Sequence, residues 1–544
     1  MPNLLKRTLR NVPSFVALAG LLGCNSVIGL NKLSISENAQ PKASTSAETG
    51  PAPECTSNAD CTEQLTAANT GDAGLIGGKV PGICTKPDGK CAQLTSDDCT
   101  TITGDYLNDS AIVIGSLFAT QGTTSAQNIP RQQSATLAIE EVNTANGIPT
   151  GTAGSTRPLV MVSCNTSGNL VRAATHLVQD IGVPAIVGPN TSQDTLDVSN
   201  KVTIQAGVVV ISPSAVAASI SDLNDNDLTW LVQPSDNQRA VLMMKNINDL
   251  ETTLKAPPRS LTNVKLSIIY RNDALGVGTR TSMDQLTING QNLSAPINFG
   301  SPTGNVHIDS YEATQTDFSA ILTKESTFQP DIVVLAGTAE SITKVLSPLE
   351  QALTAVAAPN HPYYYIIDPA KGPDLITAVT GNDDLRLRVR GSGAKPTIDS
   401  APVTVSFNLD YATRYGGSQP TASGTGPSYD AAYAISYALA TIGTEPITGA
   451  NIAKGLRKLA GGSVTVDTGT RDVLSAFNTL SGGGTITGIG TTGPLEWDSK
   501  GAVMGGTIEM WCIGKSGTTP VFQSSGLTYD IKTQQNTGSY TQCQ

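Results

Sequence analysis

Between residues 110 and 400, short apolar runs alternate with longer segments in which apolar residues recur every three or four positions. Ala111-Ile-Val-Ile-Gly-Ser-Leu117 is a run of strand type, and behind it Ala135, Ala138, Ile139 and Val142 fall at helical spacing. Leu159-Val-Met-Val-Ser163 then precedes a segment with Leu170, Ala173, Ala174, Leu177 and Ile181 on one helical face. His176 falls beside that stripe, which predicts a solvated surface histidine. Further runs follow at 185–188, 207–212, 264–270, 331–335 and 363–367. Strands separated by helices predict right-handed crossovers and parallel sheets covered on both faces. This many units divides more naturally into two sheets than one.

Ahead of residue 110 the pattern is different. Cys55 to Cys99 places five cysteines in a stretch rich in Thr, Gly, Asp and Pro, expected to be held by disulfides rather than by a core. Residues 24–54 are mostly Ser, Ala, Glu, Lys and Pro, a composition that cannot bury enough surface to offset its ordering entropy, and read as a flexible tether. The first residues carry Lys6, Arg7 and Arg10 before an uncharged run to Cys24, which predicts an export signal over 1–23. That run is too short to span a bilayer, which takes roughly 20 apolar residues. Leu21-Leu22-Gly23-Cys24 resembles the lipobox of bacterial lipoproteins, with Leu22 where a small residue is usual; the resemblance implies lipidation of Cys24 and membrane attachment. The alternative is an ordinary signal followed by a stray cysteine.

Composition narrows the chemistry. With 544 residues the chain exceeds one hydrophobic core. Its 34 Lys and Arg against 45 Asp and Glu form no basic stripe, so nucleic acid is not an expected partner. Setting Cys24 aside leaves Cys55, Cys61, Cys84, Cys91, Cys99, Cys164, Cys512 and Cys543, an even set that predicts disulfides in an exported chain. No CxxC pair occurs, and His176, His307 and His361 are the only histidines, so a metal is not expected.

Catalytic motifs are scarce. Gly426-Pro427-Ser428 only begins like a nucleophile elbow, and Gly514-Lys515-Ser516 lacks the upstream glycine of a phosphate loop. Gly488, Gly490 and Gly493 spell G-x-G-x-x-G, but no helix follows, so they read as a loop rather than a dinucleotide site. Asp222 to Asp227 lacks the glycine and the distal Glu of a calcium loop and reads as a solvated acidic loop. Neither catalysis nor a cofactor is expected.

Several stretches in order carry a family resemblance. They are Ile114-Gly-Ser-Leu117 with its Gln-rich loop into Ala138-Ile-Glu-Glu-Val-Asn143, Ile186-Val-Gly-Pro189 with Ser192, Val210-Ile-Ser-Pro213, Val232-Gln-Pro-Ser-Asp236, and Gly493-Pro-Leu-Glu-Trp-Asp-Ser-Lys-Gly501. Phe407, Tyr411 and Tyr415 before Gly416-Gly417, with Tyr429-Asp430-Ala431, add to it. From Ser110 onward the chain resembles the type I periplasmic binding proteins, in particular the leucine/isoleucine/valine-binding branch that serves ABC transporters.

The resemblance implies an α/β fold of two Rossmann-like lobes with parallel sheets, joined by three hinge strands, with ligand held in the cleft. Lobe 1 then comprises 110–235 and 395–500, and lobe 2 comprises 236–394 and 501–544, behind a cysteine-rich module at 55–99. By position Ser192 binds a ligand carboxylate, with a helix cap as the alternative reading, and the backbone around Ser214 and Ala215 helps. Val216 lacks the hydroxyl the family offers there, Leu275 and Thr338 replace aromatic residues, and Asp368 approximates an acidic partner for an ammonium group. Family members often bond a cysteine after the second strand to one beside the Ser192 position. Thr191 stands there in this chain, so the implied partner of Cys164 is Cys99. Cys512 then pairs with Cys543, and Cys55, Cys61, Cys84 and Cys91 pair among themselves in an order left open.

The function implied is that of an extracytoplasmic solute-binding lipoprotein. It closes on a small organic ligand, an amino acid or related carboxylate other than leucine, isoleucine or valine, for an ABC permease. The alternative is a sensing or surface-interaction lipoprotein on the same fold, with an enzyme less favoured.

Overall fold

The apolar runs become the inner strands of two sheets. A computed structural model describes residues 55–544 apart from 72–73, 86–88, 153, 294–303, 355, 358–359, 396–401, 418 and 421. The expected signal, lipidated Cys24 and tether lie outside the described residues. In the first sheet the strand order is Thr229–Leu231, Val209–Ser212, Ala185–Val187, Ile112–Phe118, Leu159–Asn165 and Cys99–Thr103, parallel except for the last strand. The second runs Val306–Tyr311, Leu266–Arg271, Ile332–Ala336, Tyr363–Ile367 and Val389–Lys395 in parallel, then Thr507–Ser516, Thr519–Asp530 and Gln535–Thr537 antiparallel.

Parallel strands buried on both faces divide their side chains between two cores. In the second sheet Leu266, Ile268, Ile332 and Val334 enter one core, and Ile269, Val333, Leu335 and Tyr364 enter the other. The first sheet's Ile114, Val187 and Ile211 share a core with Tyr429, Tyr433, Phe477 and Trp497 from far along the chain. The described strands on either side show that the chain changes sheet three times, after Leu231, after Lys395 and after Trp497. Among the described residues no helix is long and apolar enough to cross a membrane.

Three local expectations are corrected. His176 is buried, with Nδ1 2.9 Å from Asp180 and Nε2 3.2 Å from the Leu94 carbonyl, because residues ahead of the first strand cover it. The stretch rich in cysteine is a helix Asn58–Ala68 and a hairpin Gly82–Thr85/Lys90–Gln93 bonded through Cys55–Cys84 and Cys61–Cys91. It nevertheless has a core: Leu94 and Cys99 are fully buried with Leu117, Val162 and Leu177 of the first lobe. Gly488 and Gly490 are not loop residues; they lie in a strand Ile486–Gly490. A Cβ on Gly490 would stand 2.6 Å from the Asp430 carboxyl group, which accepts hydrogen bonds from Thr468 and Thr491.

The helices Ser125–Thr144 and Thr425–Ala440 meet around a buried carboxyl. Glu141 Oε2 accepts from the hydroxyls of Tyr429 at 2.5 Å and Tyr433 at 2.6 Å, while Oε1 has no hydrogen-bond partner. Burial pushes this carboxyl up to about 7, and the two hydroxyls only partly oppose it. A carboxyl raised in the folded state favours the protonated fold, so its contribution is full below the ordinary carboxyl range and lost as pH rises through 7. Glu141→Gln keeps an acceptor for both hydroxyls and removes the charge. It is expected to leave stability near the wild type at pH 5 and raise it by about 1–3 kcal/mol at pH 8. Urea unfolding at both pH values checks this; an equal change at both would show that Glu141 does not titrate in the fold.

Candidate functional site

A cavity of about 250 Å³ lies where the carboxyl ends of strands from both sheets face one another. Ala119, Asn190–Ser192 and Ser214 follow strands of the first sheet; Arg271 ends a strand of the second, and Asp273, Thr338 and Asp368 follow strands of it. The turn after Ala185–Val187 needs Gly188, whose φ is +89° and whose Cβ would stand 2.5 Å from the Leu117 carbonyl. This close approach sets the loop carrying Thr191 and Ser192 beside the strand Ile112–Phe118.

Of the residues assigned by resemblance, Ser192, Ser214, Leu275, Thr338 and Asp368 line the cavity, whereas Ala215 and Val216 do not. Val216 instead packs with Leu275, Ala336 and Ile367, an apolar contact between the lobes. The backbone amides of this loop are already used. Ala215 N donates to Ser212 Oγ, and Val216 N and Ala217 N both donate to Ser192 Oγ, each at 3.1 Å. Thr191, not Ser192, caps the helix Ser192–Val198. The Ser192 oxygen thus ties the two loops together, leaving its own proton to donate.

Three arginines that the sequence reading passed over dominate the site. Arg271 Nε donates to Asp273 at 2.7 Å and its Nη1 to Thr338 and Glu340, so its charge is answered within the second lobe. Arg239 donates to the Pro234 carbonyl and Gln233, with Asp368 Oδ2 3.8 Å from its Nη1. Arg131 differs: its partners are two neutral oxygens, the Ser423 carbonyl and Asn128 Oδ1, each at 2.7 Å. Burial pulls Arg131 down to about 10, opposed by the charge of Asp368, so it stays cationic near neutral pH. Ser214 Oγ lies buried in the same wall without a hydrogen-bond partner.

A signal for Arg131 was present. It lies four, seven and eleven residues before Ala135, Ala138 and Val142, so a guanidinium sits on the helix's own buried stripe at the end nearest the cleft. Arg239 has the same relation to Met243, Asn246 and Leu250.

Two α/β lobes closing on a polar cavity define a two-lobed solute-binding protein. The family model for periplasmic binding proteins matches residues 111–480, and the chain belongs to that family. No curated protein sequence matches it. Among solved structures, the branched-chain amino acid transporter substrate binding protein LivJ from Streptococcus pneumoniae, in complex with isoleucine, is similar at 18% identity. That match covers 76% of this chain and 99% of LivJ, with a TM-score of 0.55. The leucine binding protein LivK from Thermotoga maritima is similar at 18% identity over 76% of this chain and 97% of its own, with a TM-score of 0.54. A solute binding protein of an ABC transporter from Rhodopseudomonas palustris, in complex with 3,4-dihydroxybenzoic acid, is similar at 12% identity. It matches over 78% of this chain and 98% of its own, with a TM-score of 0.55.

Proposed function

We propose that this protein is an extracytoplasmic solute-binding protein, anchored through Cys24, that closes on a small organic carboxylate and presents it to an ABC permease. The observation carrying this reading is Arg131, a buried cation on the cleft wall with only neutral partners, beside the unpartnered hydroxyl of Ser214. A carboxylate supplies the two acceptors that a guanidinium fork and a hydroxyl lack. The ligands named for the similar structures, isoleucine and 3,4-dihydroxybenzoic acid, share that group. Asp368, on the opposite lobe, offers a place for an ammonium group. The ligand acts by population shift, favouring the closed form through contacts made in both lobes at once, and no bond is broken.

Calorimetry against single amino acids and small aliphatic and aromatic carboxylates tests the reading. At least one is expected to bind with micromolar affinity or better, its amide more weakly, and leucine, isoleucine and valine less well than the best ligand. Tight valine binding, or a neutral amide binding as well as its acid, would overturn this account of the pocket.

A further inference from the structure

The outer strand of the second sheet carries a second cluster, far from the cleft in sequence. His307 and Asp309, two residues apart on Val306–Tyr311, project to one face of that strand. Glu325, from the helix Ser319–Phe328, meets them there. His307 Nδ1 is 3.4 Å from Glu325 Oε1, and one donor atom from each of the three residues lies within 4.8 Å of the others. The Phe328 ring stacks on the imidazole, with centroids 3.6 Å apart, and fixes its plane.

The polar atoms here are poorly answered. Glu325 is fully buried, yet neither of its oxygens nor His307 Nδ1 has a hydrogen-bond partner among the described residues. The neighbours available to Glu325 are the buried hydroxyl of Ser267, in register with His307 on the next strand, and the Asp309 carboxyl group. Lys324 Nζ bonds both oxygens of Asp309, at 2.7 and 2.8 Å, and its side chain is 44% exposed. Lys265 donates to the Phe328 carbonyl instead. One proton can bridge only two of the three converging acceptors; a divalent cation bonds all three.

Two other clusters of ligating side chains show what an answered site looks like. Cys55, Cys61 and Cys84 are consumed in disulfides. Between Glu350, His361 and Asp384 stands the guanidinium of Arg388, which donates to both carboxylates. Among the described residues no guanidinium is bonded to the His307 cluster.

We infer that His307, Asp309 and Glu325 form a binding site for a divalent transition metal of the zinc class, which ties the helix Ser319–Phe328 to the edge strand. A tetrahedral zinc ion, about 2.0–2.2 Å from nitrogen and oxygen ligands, sets its donors roughly 3.3–3.5 Å apart. The His307–Glu325 spacing already meets this, and Asp309 closes in when Lys324 turns out to solvent. An imidazole donor selects zinc, cobalt or nickel over magnesium and calcium. The metal's ligands are deprotonated and its charge offsets two carboxylates, so Lys324 competes with it.

The test uses the full chain, oxidised and free of any polyhistidine tag. Calorimetry with Zn²⁺ is expected to give one equivalent, and Co²⁺ to develop visible absorption bands at the same stoichiometry. Glu325→Gln and His307→Ala should each weaken Zn²⁺ at least about tenfold, since loss of even an outer-shell partner does so. Lys324→Met should tighten it, a result that a purely structural role of these residues does not produce. Circular dichroism of each variant establishes that it folds. Absence of Zn²⁺ binding by folded wild-type chain, or equal binding by both ligand variants, overturns the site. Binding of Ca²⁺ or Mg²⁺ in preference to Zn²⁺ overturns the metal class.

Discussion

Arg131→Met is expected to weaken binding of the preferred carboxylate by about thirtyfold or more. Removing one partner of a buried, hydrogen-bonded charge pair costs about 2–5 kcal/mol, and each 1.4 kcal/mol is roughly tenfold in affinity. The effect concentrates on the ligand because the arginine's other partners are neutral. Loss of the guanidinium leaves the Ser423 carbonyl and Asn128 Oδ1 short of one donor each, while Asp368, which also faces Arg131, keeps Arg239 at 3.8 Å. Arg131→Lys retains the charge without the planar fork and should fall between wild type and Met. Ser192→Ala is a poorer probe, since it strips two buried amides, of Val216 and Ala217, of their acceptor. Ser214→Ala disturbs no existing bond and isolates the contribution of one hydroxyl. Calorimetry of these variants against the best ligand decides the matter. Unchanged affinity in Arg131→Met would move the carboxylate to another part of the cleft.

The inner parallel strands were legible because burial on both faces makes them continuous apolar runs, as in Ala185–Val187 and Ile332–Ala336. Val306–Tyr311 was not, because its sequence, Val-His-Ile-Asp-Ser-Tyr, carries polar residues suited to an edge. The antiparallel hairpin Thr507–Ser516/Thr519–Asp530 was missed for another reason: its second strand is half exposed, and small polar residues break its alternation. At the site, positional resemblance brought Ser192, Ser214, Leu275, Thr338 and Asp368 to the cavity. Ala215 and Val216 lie outside it, because the Val216 side chain packs with Leu275, Ala336 and Ile367 and each of the two amides is bonded to a serine hydroxyl. Sequence order does not record that bond. The arginines were overlooked because a cation in a Gln-rich segment reads as solvated until the helical phase of Arg131 against Ala135 is followed.

Cys99→Ala/Cys164→Ala is expected to destabilise the fold by about 2–5 kcal/mol while leaving the N-terminal module docked. The link joins residues separated by 65 positions, and closing so long a loop restricts the unfolded chain strongly. The docking has other support. The strand Cys99–Thr103 pairs antiparallel with Leu159–Asn165, and Asn165 N donates to the Asp98 carbonyl at 2.7 Å. Arg172 holds the Asp98 carboxylate through two bonds, at 2.6 and 2.8 Å, and Leu94 remains in the core beside Leu117 and Leu177. These contacts exist only in the folded state, whereas the covalent link acts mainly on the unfolded one. The urea midpoint should therefore fall, while hydrogen exchange keeps the amides of Cys99–Thr103 protected in native buffer. An unchanged midpoint would remove the link from the stability of the lobe. Loss of protection confined to this strand would mean that the disulfide, and not the sheet and the Asp98–Arg172 pair, holds the module in place.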